Sequence, residues 1–249
     1  MLENRPPHIS SGDKKRKSDE ELAQLYGQVI QYYQTLPFDE EKAAKEDRFY
    51  RRLVGPNRVI MTLKRTKVLR QDLLSGNASG IYVANHIGSF DQFYIGKVLT
   101  GPTRYLVNEK IPTWPIRWRL LYKPSGVVVV NQHSLSSWRQ AKATLNQYVM
   151  HGRNTFIFPE GHRMGPDNIG DFNPGVVDHA QETGCDIVTL AIKNTERLFM
   201  MRPPVICVGE TVKIGKRDDI RDKAQEVKEA VLEAFDHILK YEADRYGTK

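Results

Sequence analysis

The sequence predicts an α/β fold: a mainly parallel central sheet flanked by helices, with amphipathic helices added at both termini. Two observations carry this reading. Short β-branched and aromatic runs at 81–84, 103–107, 126–130, 154–158, 187–192 and 204–208 alternate with segments of helical periodicity. Such alternation marks parallel strands joined by crossover helices. In addition, two polar clusters, 85–91 and 158–163, each follow one of these runs directly. Open α/β sheets place their sites just past the carboxyl ends of strands.

Residues 1–18 are polar, with Pro6-Pro7 and the run Lys14-Lys15-Arg16-Lys17, and read as a mobile basic tail, solvated and without a role or, as the alternative, attracted to anionic lipid. Residues 19–50 form an N-terminal helical segment. Within it, Leu22, Leu25, Tyr26, Val29, Ile30, Tyr33 and Leu36 make one stripe, and Ser18 followed by Asp19, Glu20 and Glu21 is the start signal. The stripe is expected to pack on the domain; lying in a membrane interface is the alternative. Residues 51–249 form the α/β domain with its C-terminal helix. Segments 58–63 and 66–69 read as extended. Strand 81–84 leads to a helix over 90–99, with Ser89 as N-cap and Gln92 at the capping-box position. The run 126–130 reads as a strand buried on both faces. Helix 135–150 turns Trp138, Ala141, Leu145 and Tyr148 inward, with Gly152 just after it; Gly184 closes a short helix over 175–183. A long helix over 219–246 shows Ile220, Ala224, Val227, Val231, Ala234 and Ile238 on one face and ends at Gly247.

The chain has 249 residues, enough for one domain with a real core, and a formal net charge of +7. The excess favours anionic partners. No basic stripe with interleaved RNP-like aromatics and no zinc-finger spacing is present, so nucleic acid is not an expected partner. Cys185 and Cys207 have neither CxxC spacing nor the numbers of a disulfide framework; they read as reduced thiols of a cytosolic protein. The N-terminus has no apolar signal region, and no stretch approaches the ~18 apolar residues that span a bilayer. A cytoplasmic protein, peripherally associated with the membrane surface if its substrate is a lipid, is the expectation.

The chemistry centres on His86 and Asp91. Imidazole is neutral and proton-accepting at cellular pH, so His86 is the candidate general base, with Asp91 holding its second nitrogen. Residues five apart on a helix point about 140° from each other. The pair can therefore meet only if His86 lies in the turn before a helix and Asp91 in its first turn. In the second cluster, Arg163 can grip a phosphate with two parallel bonds, and Gly161 lets the backbone approach closely.

Asn85-His86-x4-Asp91 and Phe158-Pro159-Glu160-Gly161-His162-Arg163 resemble the paired blocks of the glycerolipid acyltransferase family, which includes the 1-acyl-glycerol-3-phosphate acyltransferases. The segment 126–132 resembles the block between them, and the likeness covers roughly 55–215. The resemblance implies an O-acyltransferase that moves a fatty acyl group from acyl-CoA, acyl carrier protein or acyl phosphate to a lysophospholipid, with 1-acyl-sn-glycerol-3-phosphate as first choice. It implies no cofactor and no metal, and it gives Glu160 and Arg163 contacts to the acceptor's hydroxyl and phosphate. The chain also departs from the pattern. Gln132 stands where the family has a phosphate-binding Arg, His162 replaces Thr, and Asn173 replaces a lysine. Lys110, the best match to a family lysine, and Arg117, Arg119 and Lys123 are the candidates to compensate; otherwise the acceptor carries another head group. Trp114, Ile116, Trp118, Leu120, Leu121 and Tyr122 interleave with the bases there and suit a lipid–water boundary or the wall of an acyl groove. Two other classes compete: a metal-dependent hydrolase using His86, Asp91, Glu160 and His162, and a non-catalytic lipid-binding protein of the same fold.

Overall fold

A computed structural model describes residues 9–63, 65–74, 80–96, 98–99, 101–110, 119, 123–196 and 202–247. Three helices come first: α1 (Ser11–Arg16), α2 (Asp19–Thr35) and α3 (Glu40–Leu63). The body follows as β1 (Lys67–Leu69), β2 (Ile81–Ala84), α4 (Asp91–Ile95), β3 (Thr103–Asn108), β4 (Val128–Val130), α5 (Leu135–Met150), β5 (Asn154–Ile157), α6 (Gly175–Thr183), β6 (Ile187–Lys193), β7 (Val205–Val212) and α7 (Ile220–Tyr246). The strands make one sheet in the order β1-β7-β6-β2-β5-β3-β4. Every neighbouring pair is parallel except β6 and β7.

This order positions the site. Strands β2 and β5 are adjacent and parallel, with Val83 opposite Ile157. Their carboxyl ends therefore deliver 85–91 and 158–163 to the same place. Strand alternation sorts the core onto two faces. Ile81, Val83, Ile157 and Ile187 pack towards Leu145 of α5, Val177 of α6 and Val231 of α7. Tyr82, Ala84, Phe156 and Val188 pack towards Tyr94 and Ile95 of α4.

The helices start and stop where their capping chemistry directs. Ser18 accepts the Glu21 N–H while the Glu21 side chain takes the Ser18 N–H, a complete capping box. Asp219 caps α7, and Gly184, left-handed at φ +69°, closes α6. In α2 the buried residues are Leu22, Tyr26, Val29 and Tyr33, so the stripe lies against the domain.

Several expectations need correction. Residues 58–63 are the end of α3 and not extended; the Gly55-Pro56 pair preceding them is accommodated inside the helix. Because α3 is continuous, the expected boundary at residue 50 falls within one element. Of the basic tail, 1–8 lie outside the described residues, but 11–16 are helical and docked. Lys14 Nζ donates to Gln181 Oε1 (2.6 Å), and Arg217 donates to the Lys14 and Lys17 carbonyls. Strand β4 lies at one end of the sheet with Val129 only partly buried, where a strand covered on both faces was expected. Val128 and Val130 belong to the core, while Val127 and Val129 line the cleft described below.

Two buried polar assemblies tie the N-terminal helices to the sheet, and periodicity announced neither. Arg104 of β3 is fully buried. It donates to Asp47 Oδ1 (2.5 Å) and the Ala43 carbonyl (3.2 Å) of α3 and packs over the Tyr148 ring. Between α2, α5 and α6, Glu182 accepts from Lys142, Asn146 and Tyr33, and Asn146 Oδ1 lies 2.5 Å from His179 Nδ1. The other ring nitrogen of His179 meets the Thr155 hydroxyl at 3.0 Å. Burial, and then the Lys142 charge, push the His179 imidazole down to about 3. The folded chain thus refuses a proton that the unfolded chain takes near ~6.5. The stabilisation is complete above that value. It is expected to fall by roughly 1 kcal/mol per pH unit below it, until the folded ring titrates. Urea unfolding from neutral pH down to about pH 4 checks this. His179→Gln should flatten that part of the slope.

Candidate active site

The loop after β2 is held by side-chain to backbone bonds. Asn85 docks it onto β6: its Oδ1 accepts the Ile192 N–H (2.8 Å), and its Nδ2 donates to the Ile192 carbonyl (3.1 Å). The His86 N–H donates to Glu160 Oε2 at 2.8 Å, and the His86 carbonyl accepts the Met164 N–H at 2.9 Å. The His86 backbone is thus clamped from both sides by the segment that follows β5, although Glu160 is 74 residues away in sequence. Its ring stacks on Phe158, with centroids 4.0 Å apart and planes at 15°.

Asp91 is the first residue of α4 and is fully buried. Its Oδ2 accepts the Ile87 N–H (2.7 Å) and the Gly88 N–H (2.8 Å) and lies 2.7 Å from His86 Nδ1. Its Oδ1 accepts the Thr195 hydroxyl at 2.7 Å. A carboxylate offers only acceptors here, so the His86 contact needs its proton on Nδ1. Nε2 is then the nitrogen with a free lone pair. This is the turn-then-helix placement that the spacing requires. Ser89, however, is exposed and does not cap α4; the N-cap position is Phe90, which makes no side-chain cap bond. The Asp91 carboxylate is turned back onto the loop N–H groups of Ile87 and Gly88.

Gly88 is required for a steric reason. A Cβ built on it would lie 2.6 Å from the Glu196 Cα, a backbone atom that cannot yield cheaply. Gly88→Ala is therefore expected to cost about 1–3 kcal/mol and to loosen the His86–Asp91 bond. A lowered Tm together with lost turnover checks it.

Glu160 is nearly buried, and both of its oxygens are used by backbone: Oε2 by His86 and Oε1 by the Gly170 N–H (2.9 Å). Burial pushes its carboxyl above the usual range, opposed by those two bonds. It joins the two loops and lines the cavity. Gly161 is left-handed at φ +74°, and its carbonyl accepts the Gln132 side-chain amide. Gln132 thus bridges the end of β4 to the 158–163 loop. Arg163 and His162 are exposed at the rim.

His86, Phe158, Glu160, Gly161, Gln132 and Arg163 line one cavity of about 610 Å3. Its walls are largely apolar, built by Phe90, Phe93, Leu106, Val130, Trp138 and Val176. Such a cavity can hold an alkyl chain with its polar end at the imidazole. Lys110 is exposed beyond the end of β3 and does not line it, and Lys123 lines a different cleft. Residues 111–118 and 120–122, which include Trp114 and Arg117, lie outside the described residues, and the aromatic segment with them. Arg119 is described only as exposed. Among the described residues, no group of three or more His, Cys, Asp or Glu side chains is placed to hold a metal ion. The would-be ligands Asp91 and Glu160 are committed to hydrogen bonds instead.

The sequence reading missed Thr195 and the stacking role of Phe158. Thr195 sits 104 residues from Asp91 in a loop after β6, where no spacing could have linked them. Phe158 stood in view within its block, but a ring after a strand is most simply core.

A sheet that presents a His–Asp pair at the carboxyl end of one strand and the Glu160–Arg163 loop at the next defines a class. The family model described as Acyltransferase matches residues 64–193, more than half of the chain, and the chain belongs to that family. Among its relatives is the 1-acyl-sn-glycerol-3-phosphate acyltransferase of Borreliella burgdorferi, 27% identical over 120 residues, or 48% of each chain. A second is the lyso-ornithine lipid O-acyltransferase of Pseudomonas aeruginosa, 28% identical over 112 residues, 45% of this chain and 42% of that one. The chain spans about half the length of these relatives in the match. The crystal structure of the 1-acyl-sn-glycerophosphate acyltransferase PlsC from Thermotoga maritima superposes with a TM-score of 0.59 at 20% identity, covering 88% of this chain and 92% of that one. That likeness is one of fold.

Proposed function

We propose that this chain is a lysophospholipid O-acyltransferase. It moves a fatty acyl group from a thioester, acyl-CoA or acyl carrier protein, to the free hydroxyl of a lysophospholipid. The observation that carries this reading is the His86 ring, bonded to Asp91 at 2.7 Å and facing a largely apolar cavity that Arg163 rims. The acceptor hydroxyl gives its proton to Nε2 as its oxygen attacks the thioester carbonyl. The carbon–sulfur bond then breaks, and the thiolate takes the proton back from the imidazolium. Asp91 holds the ring and stabilises its positive charge. The donor supplies the activation, and a positioned base contributes about 10²–10⁴ in rate.

The acceptor we favour is 1-acyl-sn-glycerol-3-phosphate, giving phosphatidic acid, with Arg163 on its phosphate. A different lysolipid head group is the second reading. Gln132 is neutral and its amide is engaged by Gly161, and one of the relatives is named for a lyso-ornithine lipid. Such acceptors live in bilayers, so the enzyme works at a membrane surface, on the cytoplasmic side where thioester donors occur. No helix among the described residues is long and apolar enough to cross a membrane.

The test is an assay of the purified chain with labelled acyl-CoA against lysolipids differing in head group. Transfer to 1-acyl-sn-glycerol-3-phosphate is expected, and transfer to none of the panel would remove the proposal. Arg163→Ala should raise the KM for a phosphate acceptor by roughly 10- to 100-fold with little change in the KM for the donor. An effect confined to the donor would contradict the role given to Arg163.

A further inference from the structure

A second cleft, of about 900 Å3, lies between α3, α5 and the outer strand β4. It is separate from the His86 cavity, and its chemistry is of two kinds. Helix α3 presents Lys42, Lys45, Arg48 and Arg52 to it, and Lys123 faces them from the turn before β4. Steps of three and four residues put the α3 cations along one side of the helix. Lys45 is paired with Glu41, and Glu46 is engaged by Tyr148 and Arg104. Lys42, Arg48, Arg52 and Lys123 have no ion-pair partner among the described residues. Behind the wall at Gly126 stands the buried guanidinium of Arg104, whose Nε and Nη1 also have no acceptor there. The floor is apolar: Val127, Val129 and Phe49 line it.

Cations alone would suit free phosphate, and valines alone would suit any alkyl chain. Their combination selects a molecule with both parts. We propose that this cleft binds one anionic phospholipid, with its phosphate among Arg48, Arg52 and Lys123 and the start of an acyl chain along Val127 and Val129. It would hold the protein on an anionic bilayer independently of the acyl-transfer site. It also explains why an edge strand is built from valines and why α3 concentrates positive charge on one side.

The test uses the full chain and dihexanoylphosphatidylglycerol below its critical micelle concentration, followed by titration calorimetry. Dihexanoylphosphatidylcholine and inorganic phosphate serve as controls for the head-group charge and for phosphate without a lipid chain. Wild type is expected to bind the phosphatidylglycerol and to bind both controls more weakly. Arg48→Ala/Arg52→Ala should weaken that binding by about 30-fold, since a basic residue near an anionic lipid is worth a factor of about five. Thr144→Trp, which fills the cleft without changing charge, should weaken it comparably, whereas Arg163→Ala should leave it intact. Equal affinity for the choline lipid, equal affinity for inorganic phosphate, or wild-type binding by either cleft variant would overturn the proposal. Loss of the signal in Arg163→Ala would assign the binding to the His86 cavity and overturn it too. Because the readout is binding without turnover, failure here leaves the acyl-transfer reading standing.

Discussion

Replacing His86 with alanine is expected to reduce acyl transfer by about 10³-fold or more while the protein stays folded. The separation of the two effects follows from the bonding around the ring. Asp91 keeps three donors when the imidazole is gone: the Ile87 and Gly88 N–H groups and the Thr195 hydroxyl. The His86 main chain keeps its bonds to Glu160 and Met164. What disappears is the only group, among the described residues of the cavity, with a nitrogen lone pair held by a buried carboxylate. Transfer of labelled acyl groups to a lysolipid, read beside the thermal unfolding curve, checks both halves. Turnover near the wild-type level in a folded variant would remove the mechanism.

Asp91→Asn is the second large effect, and its loss is expected to appear in kcat, on the order of 10²-fold, the worth of a charge-assisted bond of about 1.5–3 kcal/mol. An asparagine can keep the local fold by turning its oxygen to the Ile87 and Gly88 N–H groups and its amide to the Thr195 hydroxyl. That oxygen still accepts from Nδ1, so the tautomer survives. The negative charge does not, and the imidazolium formed during transfer loses its buried counter-charge. Acceptor KM should change little. A variant that lost affinity for the acceptor but kept kcat would show that Asp91 serves binding instead.

The sheet was legible because its strands are short, β-branched and followed by polar loops. The His86–Asp91 meeting was legible because an i, i+5 pair allows only one arrangement around a helix start. What escaped the sequence has a common physical origin: contacts closed between distant elements. Thr195 reaches Asp91 from beyond β6, Arg104 is neutralised by Asp47 from α3, and Lys14 finds Gln181. Each is a polar residue whose place is set by tertiary pairing, and local pattern carries no record of it. The 58–63 error arose differently. Val59 and Ile60 are strand formers by propensity, but α3 continues through them. Ser89 has the chemistry of a cap, but the helix starts one residue later than its pattern suggests, with Phe90 at the N-cap position. Lys110 matched its motif, yet it is exposed beyond β3 and is not among the residues that line the cavity.

The most direct measurement is a double-mutant cycle on kcat/KM with His86→Ala, Asp91→Asn and the pair together. If the imidazole and the carboxylate act as one base, the double variant should be no slower than His86→Ala alone. Losses that multiply, each residue costing its full factor in the absence of the other, would mean that they act separately and would contradict the proposed chemistry.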